Sequence, residues 1–506
     1  MQRKLTKLIC LLLISAFALV ALVGCNTVEN EETTAATTSP ITEEATENVT
    51  TAEATEETTT LSPETTAEET LAETTTAEVT TEPATTPDTQ EETSAETTEE
   101  TTEEITTEEI TTSYMQSLGL KEENLSPIMQ NIFAGNEVKN ETVFVIDKGE
   151  TRKLLYPATE IISVTSYNGS ITYTEGVDYV LDNGGIKILE GSSIPAVTSA
   201  VYYNYTANPA IYVNHNGANT SVYWGEGATM TQWQVSVTYK HESTWEGFNQ
   251  PNSAKIYESL IKKLEAGEDV TFIFYGDSIT CGATSSWFSG TGDQHSYSML
   301  FTEAIADLFG YTVNFIDVSH LQPGMIKPTP EAYVGGTRGT ITYINPSVGG
   351  WTSQNGLDKF DTFVKPYIQE YGCDLISVAF GMNDAAVTPN STSTNIKSII
   401  TKAQKLDDDL CAIVVSTMVP NNLATNGWYG NQDQQESAIA AKIIAALNKA
   451  GVPTNIARMT SVSLAVLQHK EFLDYTGNNI NHPNDFFNRI YAQTLLQCVI
   501  GYENIN

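Results

Sequence analysis

The sequence predicts an α/β fold over residues 251–506, a parallel sheet with helices on both faces. A β-rich domain over 114–250 and a long tether over 26–113 precede it. Three observations carry this. From about residue 252, segments of helical period alternate with short apolar runs. Between 140 and 243, β-branched and aromatic runs are broken by Gly, Asn and Asp clusters, with no helical period. Residues 26–113 are almost entirely Thr, Glu, Ala, Ser and Pro.

Taken in order, the chain opens with Arg3, Lys4 and Lys7 and an apolar run over 8–23 that ends in Leu22-Val23-Gly24-Cys25. The run is shorter than the roughly 20 residues that a spanning helix needs. It resembles a bacterial lipoprotein signal, whose processing leaves Cys25 as a lipidated N-terminus; an uncleaved anchor or a soluble secreted form is the alternative, and each implies export. The expectation is a protein held by lipid at the extracellular face of the membrane, touching the membrane only through that anchor. Residues 26–113 hold 25 acidic residues and no Lys or Arg. So little apolar surface cannot offset chain entropy, so the segment is expected to be disordered and extended by self-repulsion. As a random coil it would span about 50 Å, enough for a tether through a cell wall. The net charge of −38 therefore says little about substrate; from residue 114 onward, 22 basic residues face 38 acidic ones. That balance argues against nucleic acid and anionic lipid as partners.

In the β-rich domain, strands are expected at 143–146, 160–167, 171–173, 179–181, 186–189, 201–205, 211–213 and 233–239. Their number and spacing suggest a β-sandwich or jelly roll. Trp224, Trp233 and Trp245 would serve as a sugar-stacking platform or as core packing; the sequence favours packing and does not separate the two. Beyond 251, helices are expected at 254–264, 296–308, 357–371, 394–407, 434–450 and 486–499. Strands are expected at 270–274, 375–380 and 412–418, with a weaker one at 455–459. Two further β-like runs, 313–318 and 340–344, flank a Pro/Gly-rich loop that looks like an insertion. Parallel sheets of this kind place reactive groups at the carboxyl ends of their strands.

Four stretches sit at such ends. Tyr275-Gly276-Asp277-Ser278-Ile279-Thr280 follows an apolar strand, and the small Gly lets the chain turn and present Ser278. Ser347-Val348-Gly349-Gly350-Trp351-Thr352-Ser353 precedes a helix, and Gly381-Met382-Asn383-Asp384 follows another apolar strand. Asn479-Ile480-Asn481-His482-Pro483-Asn484-Asp485 stands before the last helix. Each alone reads as a turn; in this order they resemble the four blocks of the SGNH, or GDSL, hydrolase family, over about 252–502. The resemblance implies a flavodoxin-like sheet and a serine esterase. It also implies Ser278 as nucleophile, His482 as general base, and the N–H groups of Ser278 and Gly350 with the Asn383 amide as oxyanion hole.

One position departs from the family. Three residues before the His, where an Asp is usual, stands Asn479. Such a carboxylate holds the imidazole tautomer, so Asp474, Asp485 or a backbone carbonyl would have to orient His482, or the enzyme would be weak. The spacing of Cys281, Cys373, Cys411 and Cys498 shows no disulfide framework, although the exported setting permits a disulfide; Cys373, Cys411 and Cys498 suit buried thiols. No zinc spacing and no phosphate loop occurs in the sequence, so no cofactor or metal is expected. The expected substrate is an acylated, foremost acetylated, polysaccharide, or else a small ester. A lipase, thioesterase or acyltransferase is the enzyme alternative, and a weakly active carbohydrate-binding surface protein is the other class.

Overall fold

The computed structural model describes residues 114–203, 223–321, 329–422, 428 and 430–502. The signal segment with Cys25, the tether and the expected strand at 211–213 lie outside the described residues, as does 204–205 of the run at 201–205. By its contacts the chain divides into Met1–Thr102 and Glu103–Asn506, and everything described here belongs to the second unit.

Six strands form the β-rich region: β1 (Glu137–Phe144), β2 (Thr151–Arg152), β3 (Ala158–Ser166), β4 (Tyr179–Asp182), β5 (Gly185–Ile188) and β6 (Gln234–His241). They make two antiparallel sheets, ordered β1–β6–β3 and β2–β5–β4. The β4–β5 hairpin turns at Asn183 and Gly184, with φ of 50° and 76°, the left-handed pair that an Asn-Gly turn favours. Two expected strands differ. Around 171–173 the chain makes only an isolated bridge from Thr172 to Thr165, and 201–202 closes a helical turn, Ser199–Tyr202, capped by Thr198.

The α/β part begins with α1 (Glu258–Ala266) and β7 (Val270–Gly276), followed by the short α2 (Ser278–Cys281) and α3 (Tyr297–Phe309). Next come β8 (Thr312–Asp317), β9 (Tyr333–Val334) and β10 (Thr340–Asn345), then α4 (Ser353–Phe363) and α5 (Lys365–Tyr371). After β11 (Leu375–Ala379) run α6 (Pro389–Gln404), β12 (Cys411–Val415), α7 (Gln432–Lys442), α8 (Ile444–Lys449), β13 (Thr454–Ala457), α9 (Met459–Val466) and α10 (Asp485–Ile500). The sheet order is β13–β12–β11–β7–β10–β8–β9, parallel throughout except at β8–β9.

The expected parallel sheet with flanking helices is therefore present, with one change of order. A flavodoxin-like sheet sets its second strand beside its first; here both runs between 311 and 348 are strands, and β10 stands between β7 and β8. After β8 the chain forms the edge pair with β9 and returns, and the buried side chains of Ile341, Tyr343 and Ile344 claim the place beside β7. The switch in winding falls at β7, flanked by β10 and β11, so the crevice opens at its carboxyl end.

Alternation along β7 feeds two cores. Phe272 and Phe274 pack with Phe301, Ile490 and Leu495, in a cluster that continues into Val143, Val237 and Tyr239 of the β-rich sheets. Ile273 and Tyr275 face the other way, onto Phe360, Ile396 and Ile399. The β-rich sheets and the α/β part thus share one hydrophobic core. Polar groups tie the same seam. Buried Arg489 donates to the carbonyls of Lys139 (2.8 Å) and Asn140 (2.6 Å), and buried Lys470 pairs with Glu141 at 2.5 Å.

Candidate active site

Ser278 is the first residue of α2, directly behind β7. Asp277 caps that helix, its Oδ1 accepting the Ile279 N–H at 3.0 Å. Gly276 is required by space: a Cβ there would lie 2.2 Å from Thr280 Oγ1 and 2.5 Å from the Ala379 carbonyl. Burial pushes the Asp277 carboxyl up to about 7, against the opposing pull of the Ile279 N–H and of His482.

The second stretch is pinned to the same strand end. Gly276 N–H donates to Ser347 Oγ (2.9 Å), Ser347 Oγ–H to the Phe274 carbonyl (3.1 Å), and Val348 N–H to the Gly276 carbonyl (3.2 Å). Gly350 follows with φ of 74°, a left-handed conformation, and nothing stands within 4 Å of where its Cβ would be. The third stretch leaves β11. Fully buried Asp384 accepts the Ser353 N–H (3.0 and 3.1 Å) and Oγ–H (2.5 Å), which locks this turn to the start of α4. Burial raises the Asp384 carboxyl above the ordinary range, with the Ser353 hydrogen bonds opposing. Asn383 then lies beside Gly350, one amide N–H donating to the Trp351 carbonyl at 3.1 Å.

The fourth stretch folds on Asn478. Its Oδ1 accepts the N–H groups of Ile480 (2.9 Å), Asn481 (3.0 Å) and His482 (3.0 Å), and Gly477 N–H closes onto the His482 carbonyl (2.9 Å). This loop aims the imidazole at α2: His482 Nε2 stands 2.8 Å from Ser278 Oγ. At the other ring nitrogen, Nδ1, lie the Glu226 carboxylate oxygens, at 3.0 and 3.1 Å, and the Asn478 amide nitrogen, at 3.0 Å. A carboxylate there makes Nδ1 the donor and leaves Nε2 free to accept from the hydroxyl.

Ser278, Gly350, Asn383 and His482 line one cleft of about 270 Å³, walled by Trp224, Leu321, Trp428 and Ile480. Of the three tryptophans singled out in the sequence, Trp224 reaches this cleft. Trp233 packs on Phe144 and Tyr223, and Trp245 on Phe133 and Tyr156.

The structure brings neither Asp474 nor Asp485 to the His482 ring, and it does not bring Asn479 there either. Asn479, at φ 65°, turns away, and its Nδ2 donates to Tyr202 OH (2.8 Å) and the Tyr223 carbonyl (2.7 Å). Asp474 accepts the Phe144 N–H (2.7 Å) and stands 3.6 Å from Lys470 and 3.8 Å from Arg152. Asp485, the first residue of α10, reaches back to the Ser286 N–H at 2.8 Å; burial lifts its carboxyl to about 6, against the Ser286 hydrogen bonds.

Sequence reasoning missed Glu226 and Asn478. Glu226 lies 256 positions before His482, between Gly225 and Gly227, where no motif spacing points to it. The described cysteines Cys281, Cys373, Cys411 and Cys498 are buried. Among the described residues, no group of three or more His, Cys, Asp or Glu side chains is placed to hold a metal ion.

Residues 272–490 match the family model of GDSL-like lipases and acylhydrolases. Among solved structures, a two-domain esterase active on acetylated mannans is 18% identical with a TM-score of 0.35. The match covers 51% of this chain and 57% of that one, so only a little over half of that esterase's length is matched. An acetyl xylan esterase is 14% identical, with 45% and 98% of the two chains covered and a TM-score of 0.30. A carbohydrate esterase of family 3 from Talaromyces cellulolyticus is 17% identical, with coverage of 45% and 94% and a TM-score of 0.30. Likenesses this low add nothing to the geometry above. A search among curated proteins gave no match.

Proposed function

Since its residues 272–490 make this chain a member of the GDSL-like lipase/acylhydrolase family, we propose that it is a serine esterase removing small acyl groups, foremost acetyl, from polysaccharide. The observation that carries the reading is the 2.8 Å contact of His482 Nε2 with Ser278 Oγ, in a cleft that Gly350 and Asn383 also line.

His482 takes the proton of Ser278 as Oγ bonds to the ester carbonyl carbon. The resulting oxyanion is held by the N–H groups of Ser278 and Gly350 and by the Asn383 amide, neutral donors set in place before the reaction. Collapse expels the alcohol, which takes the proton from His482. Water, activated by the same imidazole, then releases the acid and restores Ser278. Burial lowers the affinity of His482 for a proton, but the Glu226 carboxylate and its hydrogen bond, with Asp277 behind, leave its pKa above the usual 6.5.

The polysaccharide reading is supported by the cleft. At about 270 Å³ it lies just below the ~300–1,000 Å³ usual for ligand pockets, which suits a short acyl group better than a fatty chain. Trp224 and Trp428 give the cleft an aromatic lining that suits a sugar ring, and among the described residues Glu226 is the one charged lining side chain besides the titratable His482. With 38 acidic against 22 basic residues from 114 onward, a neutral polymer fits better than an anionic one. Lipid anchoring at Cys25, an extracellular position and a wall-crossing tether belong to the same proposal and rest on the N-terminal sequence alone.

Acetate release from a panel of acetylated mannan, xylan and other glycans tests it, with p-nitrophenyl acetate and p-nitrophenyl palmitate as small- and long-acyl controls. Ser278→Ala is expected to abolish release while the fold stays intact. Residual turnover in Ser278→Ala within about tenfold of wild type, or a preference for palmitate, would overturn the reading.

A further inference from the structure

We propose that Glu226, carried by the β-rich region outside residues 272–490, is the positioning acid of this site, standing in for the missing carboxylate at Asn479. This rests on the esterase reading above.

A serine-activating imidazole needs its far nitrogen held as a donor, and the imidazolium formed during attack needs a charge beside it. Position 479 supplies neither, because its side chain is spent on Tyr202 and Tyr223. Glu226 supplies both. Its two oxygens lie 3.0 and 3.1 Å from His482 Nδ1, and Asn478 Nδ2 donates to Oε1 at 2.9 Å. Asn478, the residue whose Oδ1 shapes the His loop, thus also holds the acid.

The segment bearing Glu226 is docked on that loop. Gly225 N–H reaches the Asn478 carbonyl at 3.3 Å, and Trp224 packs with Phe144, Tyr202 and Ile480. The charged groups facing the ring are Glu226 and, from the end of β7, Asp277, with Asp384 behind the latter. Partial burial pushes the Glu226 carboxyl upward, yet the charge and hydrogen bond of His482 and the Asn478 amide bring it below its usual value. Glu226 therefore stays ionised as the Ser278 proton moves to Nε2, and no proton passes to it. Since 43% of its side chain remains exposed, solvent weakens its field.

The test compares wild type, Glu226→Gln and Glu226→Asp on p-nitrophenyl acetate over the acid-to-neutral range. Glu226→Gln keeps the shape and loses the charge. Its kcat is expected to fall about 10²- to 10⁴-fold, as when a triad acid becomes an amide, with KM within about threefold. The acid limb of kcat/KM should move to lower pH, because His482 loses the partner that raises it. Glu226→Asp should retain the limb of the wild type. A Glu226→Gln activity within about fivefold of wild type would overturn the proposal, leaving a Ser278–His482 dyad. So would a loss of kcat with an unmoved limb, since packing alone would account for it. Ser278→Ala, run alongside, separates the two readings: if it stays active, the esterase assignment itself fails; if it is dead while Glu226→Gln is normal, only the role of Glu226 fails.

Discussion

Asn479 stands where the family sets an acid, yet its amide is built into the wall between the two regions. It is 1% exposed, and its Nδ2 donates to the Tyr223 carbonyl at 2.7 Å. Asn479→Asp would set a carboxylate oxygen against that carbonyl and strand a buried charge. The expected result is a loss of about 1–3 kcal/mol in urea unfolding with no rise in kcat. A tenfold gain in turnover would mean that the side chain can swing back to His482. At this scale the gathering of Ser278, His482, Gly350 and Asn383 in one cleft was legible only through the order of the four stretches, which resembles the family's blocks, since each alone reads as a turn. Glu226 was not, because only tertiary folding brings it to His482 across 256 positions.

At the scale of elements, β7 and the turns behind its carboxyl end make the site, and two glycines there do different work. A Cβ on Gly276 would press on the Thr280 side chain and on the Ala379 carbonyl of β11, which cannot withdraw without opening the sheet. Gly276→Ala is expected to cost about 1–3 kcal/mol or more and to lower the melting temperature clearly. At Gly350 nothing is near, so the added methyl enters the cleft and the left-handed backbone costs about 1–2 kcal/mol. Gly350→Ala should therefore lose more turnover than stability, a contrast read by melting both variants and assaying both. Strands β7, β11 and β12 were legible as short apolar runs because they are buried on both faces. The single helix expected at 357–371 breaks at Val364 into α4 and α5. Pro366, in the first turn of α5, lacks the N–H and crowds the carbonyl four residues back. β9, two residues long, left no periodic signal to read.

At the scale of the molecule, the β-rich sheets are part of the same folded body as the hydrolase core. Lys470, 1% exposed on its side chain, ties Glu141 of β1 (2.5 Å) and the Lys153 carbonyl (3.0 Å) to the stretch that leads into the His482 loop, with Asp474 at 3.6 Å. Glu141 in turn accepts the Leu155 N–H and Tyr239 OH. Lys470→Ala strands buried carboxylates and is expected to cost about 3–5 kcal/mol in urea unfolding. An unchanged midpoint would show that the seam does not depend on this network. The seam was not legible in advance: β1, β6 and the stretch 470–474 are far apart in the chain, and charge alone marks Lys470 as a surface residue.

The central claim is that Ser278 is a nucleophile activated by His482. Treating the protein with a reactive fluorophosphonate and mapping the adduct by peptide mass spectrometry tests it most directly. One adduct is expected, on Ser278, formed in step with loss of esterase activity and absent from Ser278→Ala and His482→Ala. An unlabelled but active enzyme, or an adduct on another serine that tracks the loss of activity, would contradict it.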